Sequence, residues 1–214
     1  MPKPKRPPSS KQKNSAAPGE LSDRRRLDLL EAAYALTAEK GLAGLRTRDV
    51  AARAKVNIST LHYYFGTKEA LITALVEYTT SKFNRGERPH QGPADDPLQA
   101  HFLDTWRIFQ ETPQLSLVLE ELSMRSTRDP ETRAAFRAVH ERWNAGVEQL
   151  LRGLAAAGYL RPGIDPKLGA FILSSFVIGA SVELRVNRAA FDFVAVAREL
   201  SRWASPSPSK PADK

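Results

Sequence analysis

The histidines and carboxylates of this chain are not spaced for catalysis or for metal binding. The 214 residues contain no cysteine, which excludes thiolate ligands, a cysteine nucleophile and disulfides. The four histidines do not pair at a useful spacing, and G-x-S-x-G, H-E-x-x-H and a glycine-rich phosphate loop are absent from the sequence. The neighbours Glu120 and Glu121 fit a helix surface better than an acid/base pair. The sequence therefore predicts a protein that is not an enzyme and that uses no metal or cofactor.

A cluster of hydrogen-bonding side chains stands in residues 57–68, NISTLHYYFGTK. Read as a short helix anchored by Leu61 and Phe65, this stretch leaves amide, hydroxyl, imidazole and phenol groups on its outer surface. Such groups near a helix N-terminus donate to phosphates or read base edges. The side chains predicted to contact DNA are Asn57, Ile58, Ser59, Thr60, His62, Tyr63 and Tyr64 in this stretch, with Thr47, Arg48 and Lys68 on the flanking helices.

These side chains have different expected roles. Ile58 can touch a thymine methyl group, and Arg48 is long enough to reach guanine or a phosphate. Tyr63 offers a phenol hydroxyl to a phosphate, and Lys68 is a plain phosphate-binding cation. For Tyr64, a phosphate contact and a packing role are both open.

Two short helices about three residues apart would position this cluster. Thr47 and Asn57 can each cap the N-terminus of one helix. Ala51 and Ala54 are small enough to let the two helices approach closely. A pair of this kind is the skeleton of a helix-turn-helix, whose second helix reads the major groove.

Helical periodicity continues through the rest of the chain, without strand-like alternation, and predicts an all-α fold. Longer helices are expected at residues 98–112, 114–125, 130–157, 166–186 and 190–203. Four segments follow: a disordered basic arm at 1–20, a helix-turn-helix domain at 21–80, a larger helical domain at 81–204 and a disordered tail at 205–214.

Residues 47–71, TRDVAARAKVNISTLHYYFGTKEAL, resemble the DNA-binding signature of the TetR family of transcriptional repressors. The chain departs from the usual pattern at Lys55, where the family commonly has Gly, and at His62 and Tyr64, where it commonly has Tyr and His. The resemblance implies a three-helix DNA-binding domain, a homodimer, a palindromic double-stranded DNA operator and a small-molecule inducer of unknown identity. It also implies a cytoplasmic regulator of transcription.

The basic N-terminal end also points to an anionic partner. The net charge is +8, and the first 20 residues contain five Lys or Arg against one Glu. A flexible basic arm can add phosphate or minor-groove contacts, although a solubilising tail has the same composition. A helical lipid-binding or membrane-surface protein is the alternative function, but it would not need residues 47–71 in this order.

Large rings are concentrated in the first half of the predicted C-terminal domain. Phe102, Trp106 and Phe109 share one helix face and form either part of the core or the wall of a cavity. By analogy with TetR-like regulators, the second interpretation gives a ligand pocket whose further members are the rings Phe136 and Trp143 and the polar residues Glu120, His140 and Asn144.

The apolar run LGAFILSSFVIGASV, residues 168–182, is shorter than the roughly 20 residues needed to span a bilayer. In the TetR family the last two long helices form a four-helix dimer interface. The resemblance therefore implies an interface built on Ala170, Ser174, Ile178 and Ser181. Burial within a single subunit is the alternative.

Overall fold

The computed structural model describes residues 18–85, 96–187, 189 and 191–206, and these residues form nine α-helices and no strand. The predicted all-α fold is therefore confirmed. The helices are α1 (Pro18–Lys40), α2 (Thr47–Arg53), α3 (Ile58–Phe65), α4 (Lys68–Arg85), α5 (Pro97–Glu111), α6 (Gln114–Ser126), α7 (Pro130–Ala156), α8 (Pro166–Val186) and α9 (Phe193–Ala204). Residues 1–17 of the predicted arm, most of the connection before α5 and most of the C-terminal tail lie outside the described residues. The last three residues of the predicted arm, 18–20, are instead the start of α1.

Aspartate side chains cap four of the five C-terminal helices. Asp96, Asp129, Asp165 and Asp192 each accept hydrogen bonds from backbone N–H groups in the first turns of α5, α7, α8 and α9. In the first three of these helices a proline follows the aspartate, at a position where its missing N–H costs nothing. These Asp-Pro pairs explain why the sequence places the starts of these three helices accurately.

The start of α2 differs from its prediction. The N-cap is Arg46, in an extended conformation and without a side-chain capping bond, and Thr47 is already the first helical residue. A threonine inside the helix cannot accept from the second or third N–H as an N-cap does. The predicted capping role of Thr47 is therefore wrong.

Two hydrophobic cores organise the helices. The first contains side chains of α1 to α4 together with Val118 and Leu122 of α6 and Val139 of α7. The second joins α5, α7, α8 and α9. Because α4 continues to Arg85 and packs on α6 and α7, the first core extends from the N-terminal helices directly into the C-terminal ones.

Candidate nucleic-acid interface and ligand cavity

The α3 helix has a buried side and an exposed side. Leu61 is fully buried and Phe65 nearly so, and both belong to the first core. Ser59 and His62 are exposed, and the Tyr63 side chain is 81% exposed. Four-residue spacing puts the two anchors on one face, which leaves the hydrogen-bonding side chains on the other.

The turn between α2 and α3 is a Schellman motif. The N–H of Val56 donates to the Ala51 carbonyl at 3.0 Å, and the N–H of Lys55 donates to the Ala52 carbonyl at 3.1 Å. Lys55 has a φ of 56° and is the one non-glycine residue with a positive φ in the described part of the chain. The motif needs a left-handed residue at this position, for which glycine is the usual choice. Lys55 adopts the same conformation although it has a side chain.

The start of α3 is held by side-chain hydrogen bonds. Asn57 Oδ1 accepts from the Thr60 N–H at 2.7 Å and from the Thr60 hydroxyl at 2.9 Å. Asn57 therefore caps the helix as predicted. The Thr60 hydrogen is used inside the protein, which leaves the hydroxyl oxygen as an acceptor.

His62 has a fixed ring orientation although it is exposed. Its Nδ1 lies 3.0 Å from the carbonyl oxygen of Gly66, just beyond the C-terminus of α3. A carbonyl can only accept, so Nδ1 carries the hydrogen. The second nitrogen, Nε2, is thereby an acceptor whenever the imidazole is neutral.

Two of the predicted DNA contacts turn toward the protein instead. Ile58 and Tyr64 are half-buried and pack against the first core. The Tyr64 hydroxyl is hydrogen-bonded to the Ser22 hydroxyl at 3.2 Å, and the Tyr64 ring meets the Tyr63 ring edge-on at 5.2 Å. The expectation that Ile58 points outward is wrong, because its position on α3 faces the core. Tyr64 has the packing role that had been left open.

The residues that flank α3 in the chain include exposed cations. Arg46, Arg48 and Lys55 are exposed, whereas Thr47 and Lys68 are half-buried at the starts of α2 and α4. By contrast, Arg53 is engaged by Glu39 through two hydrogen bonds of 2.6 and 2.8 Å. Arg46 had not been predicted, because nothing in its local pattern marks it beyond its place before a helix start.

A cavity of about 720 Å³ lies among α5, α6, α7 and α8. Five of the predicted pocket residues line it, namely Phe109, Glu120, Phe136, His140 and Trp143. Phe102 and Trp106 do not: Phe102 is fully buried edge-on to Phe176, and Trp106 stacks on Phe193 at 4.9 Å. These two rings belong to the second core, because α8 and α9 cover that part of α5. Asn144 lines a separate depression of about 490 Å³ between α7 and α8.

His101 of α5 also lines the cavity, although its sequence pattern did not predict it. Burial lowers the pKa of His101, an effect that Asp104 partly opposes. Burial also lowers the pKa of His140. Both imidazoles are therefore biased toward the neutral form, which only the three-dimensional surroundings could reveal.

Charged groups near the cavity are paired. Glu120 of α6 forms an ion pair with Arg185 of α8. Asp104 forms one with Arg107 at 3.0 Å on α5. Next to Glu120, Glu121 points the other way and accepts a hydrogen bond from the Leu42 N–H at 2.9 Å. The α6 helix thus contacts both the cavity and the turn that follows α1.

The small residues of α8 face the subunit's own interior. Ala170, Ser174 and Ser181 are buried, and α8 makes its most extensive contact with α7. Of the four residues predicted for a dimer interface, only Ile178 is substantially exposed, at 45%. The other three are buried inside the subunit, where small side chains permit close approach of α7. They therefore fit the alternative of burial within a single subunit. The apolar side chains exposed on α8 are Leu168, Phe171, Ile172, Ile178, Val182 and Val186.

Comparisons with known proteins agree with this arrangement. The family model "Bacterial regulatory proteins, tetR family" matches residues 29–75, and the model "BetI-type transcriptional repressor, C-terminal" matches residues 96–204. The HTH-type transcriptional repressor NicS of Pseudomonas putida is 29% identical over 151 residues, which are 67% of this chain and 63% of NicS. The chain therefore spans less than two thirds of that relative.

Solved structures give the same fold. A TetR transcription regulator from Haloarcula marismortui superposes with a TM-score of 0.72 over 85% of this chain and 96% of its own, at 19% identity. The multidrug binding protein EbrR, complexed with imidazole, superposes with a TM-score of 0.64 over 87% of this chain and 97% of its own, at 25% identity.

Regulators of this family are generally soluble and cytoplasmic. By length and composition alone, α8 is apolar enough to cross a membrane, but its apolar side chains are divided between the core and the exposed face, as in a helix that packs against other helices. The two family models together cover most of the chain, at residues 29–75 and 96–204. The chain belongs to the TetR family, whose members are transcriptional regulators and not enzymes.

Proposed function

We propose that the chain is a repressor that binds a palindromic operator as a homodimer and leaves it when a small molecule fills the cavity. The observation that carries the DNA-binding part is the exposed face of α3, formed by Ser59, His62 and Tyr63, together with the exposed cations Arg46 and Arg48 at the start of the preceding helix α2. Ser59 and His62 read bases, Tyr63 donates to a phosphate, and the two arginines neutralise phosphates.

Within α3 the proposed contacts have definite chemistry. The outward Nε2 of a neutral His62 accepts a hydrogen bond, which suits the amino group of cytosine or adenine in the major groove. Tyr63 gives its hydroxyl to a phosphate, and Lys68 supplies a charge from the first residue of α4. Thr47, Asn57 and Thr60 are placed to meet the DNA backbone at the helix starts. The N-terminal arm adds phosphate or minor-groove contacts.

The exposed apolar face of α8 supports a homodimer. Phe171 and Ile172 are each more than half exposed, and Trp203 of α9 is 60% exposed. A soluble protein rarely leaves such a patch in water, so a second copy is the proposed cover. Two-fold symmetry then sets the two α3 helices about 34 Å apart, which requires a palindromic operator.

Release by a ligand is supported by the position of α6. Glu120 and Ser123 line the cavity, while Glu121 bonds to Leu42 and Leu122 packs in the first core. A ligand that shifts α6 therefore acts on α1 and on the helix pair that it supports. EbrR, a relative of the same fold, is named for binding drugs, which agrees with a small-molecule site.

The test is selection of bound fragments from random DNA with the purified full-length chain, followed by gel shifts on the recovered sequence. Lys68→Ala should weaken binding to all sequences and lower the salt dependence by about one charge. Ser59→Ala and His62→Ala should change the preferred bases. Arg161→Ala removes an exposed charge in the loop after α7, away from the helix-turn-helix, and serves as the control.

Three outcomes would contradict the proposal. One is selection that yields no common sequence, and another is a recovered sequence without a palindrome. A third is equal loss of affinity in Lys68→Ala and Arg161→Ala, which would indicate general charge attraction. Flotation with anionic liposomes tests the membrane-surface alternative, which requires binding to vesicles in the absence of DNA.

A further inference from the structure

Four hydroxyls that line the cavity are oriented alike. The hydroxyls of Thr80, Thr105 and Ser181 each donate to a carbonyl of their own helix, at 2.7 to 3.0 Å. The Ser116 hydroxyl donates to the Pro113 carbonyl at 3.3 Å. With their hydrogens used in this way, these hydroxyls present acceptor lone pairs to the cavity.

The acidic groups of the wall are already paired. Asp104 is paired with Arg107 and Glu120 with Arg185, so neither carboxylate offers an uncompensated charge. Arg142 also lines the cavity, but its side chain is exposed and therefore hydrated. A cationic ligand would lose its hydration and meet only carboxylates that are already paired, and an anionic ligand would meet only the hydrated guanidinium of Arg142, so burial of either charge in this apolar site is unfavourable.

The remaining wall is made of rings and aliphatic side chains. Phe109, Phe136 and Trp143 line the cavity, and the Phe136 ring lies against the imidazole of His140 at 4.8 Å. Burial lowers the pKa of both His101 and His140, so each imidazole offers one donor and one acceptor. Among these wall hydroxyls and imidazoles, acceptors therefore outnumber donors.

We propose that the cavity takes an uncharged aromatic molecule that carries a hydroxyl or a comparable hydrogen-bond donor. Its ring packs between the aromatic side chains, and its donor is received by a wall hydroxyl oxygen or by an imidazole nitrogen. Carboxylates are disfavoured because they need donors, and ammonium groups because the acidic side chains are already paired. The inference rests on the proposed function in that it treats this cavity as the ligand site.

Four naphthalenes of similar size test the ligand class by isothermal titration calorimetry with the full-length chain. The probes are 2-naphthol, 2-methoxynaphthalene, 2-naphthoate and 2-naphthylmethylammonium. We expect 2-naphthol to bind most tightly and 2-methoxynaphthalene to bind about fivefold or more weakly, since it cannot donate. The two ions should bind more weakly still. Tighter or equal binding of either ion, equal binding of the methoxy compound, or no binding by any probe would overturn the proposal.

Two variants locate the binding site. Thr105→Val and His140→Phe each remove an acceptor while keeping the shape of the side chain, and at least one of them should weaken 2-naphthol about fivefold without affecting 2-methoxynaphthalene. Thr79→Val is the matched control, because the Thr79 hydroxyl makes the same backward bond at 2.7 Å but does not line the cavity. Unchanged 2-naphthol affinity in both cavity variants, with melting temperatures that show them folded, would refute the placement.

Calorimetry also separates this inference from the proposed function. If 2-naphthol binds as expected but does not release the protein from its selected operator in a gel shift, the release mechanism fails and the ligand class stands. If 2-naphthoate releases the operator and binds more tightly, the ligand class fails and the release mechanism stands.

Discussion

Lys55 and Gly158 occupy the same place in two Schellman motifs. The energetic cost of a left-handed residue with a Cβ can therefore be tested by removing the Cβ at Lys55 and by adding one at Gly158. After α7, the N–H of Tyr159 donates to the Leu154 carbonyl at 2.8 Å and that of Gly158 to the Ala155 carbonyl at 3.1 Å. The turn after α2 has the same two bonds. The φ angles are 56° at Lys55 and 78° at Gly158, so both residues are left-handed.

The expected change in stability follows from this geometry. A left-handed conformation costs a residue with a Cβ about 1–2 kcal/mol. Replacing that residue with glycine removes this cost, but it also stabilises the unfolded chain by about 0.4–1 kcal/mol, because glycine has more conformational freedom there. Lys55→Gly should therefore raise the free energy of unfolding by about 0.5–1 kcal/mol. Gly158→Ala should lower it by a similar amount, since a Cβ at that position meets no atom within 4 Å.

Equilibrium urea unfolding at one fixed protein concentration measures both changes, because a dimer's stability depends on concentration. Lys55→Ala is the control, since it removes the charge but keeps the Cβ and should not gain the stability of Lys55→Gly. The reasoning is refuted if Lys55→Gly is no more stable than Lys55→Ala. It is also refuted if Gly158→Ala unfolds at the same urea concentration as the parent.

Three further predictions concern the hydrogen bond between Glu121 and Leu42, the exposed apolar face of α8 and the buried His101. Glu121→Ala should lower the free energy of unfolding by about 1–3 kcal/mol, because the Leu42 N–H loses its acceptor; an unchanged urea midpoint would contradict this role. Ile172→Glu should yield monomers in light scattering after gel filtration, whereas Leu117→Glu, at an exposed apolar position on α6, should leave the mass unchanged. Burial lowers the pKa of His101 from 6.5, so the unfolded chain binds its proton first as the pH falls. Stability should decrease below about pH 6.5, and His101→Gln should flatten that decrease in urea titrations at several pH values.

Local features of α3 could be predicted from the sequence because their causes are local. The Asn57 cap depends on residues three positions apart, and the Leu61 and Phe65 anchors depend only on helical periodicity. The start of α2 could not be placed as well, because Arg46 and Thr47 both fit a helix start and the capping preference favoured the wrong one. Such errors of one residue arise where no side-chain bond fixes the terminus.

Features that depend on neighbouring helices could not be read from one helix alone. Phe102, Trp106 and Phe109 share a face of α5, but α8 and α9 cover the first two with Phe176 and Phe193 while Phe109 reaches the cavity. Periodicity fixes which residues share a face and leaves open what that face meets.

The small residues of α8 illustrate the same limit. Ala170 and Ser174 signal that some helix approaches closely, and the approaching helix is α7 of the same subunit. The exposed face is instead the one with the large side chains Phe171 and Ile172. A proposed dimer is therefore built from bulky apolar contacts.

The place of α6 explains why ligand binding and operator binding would influence each other. Leu119 lines the cavity, whereas Val118, one residue earlier, is fully buried in the first core. Because packed cores resist continuous deformation, a movement of α6 caused by a ligand must be followed by rearrangement around Val118 and at the Glu121–Leu42 bond. In the proposed function this linkage is reciprocal: a ligand that weakens operator affinity by some factor is itself bound more weakly, by the same factor, on the operator. The inducer can act only through its different affinities for the two states, so the most tightly bound cavity ligand need not be the one that releases DNA.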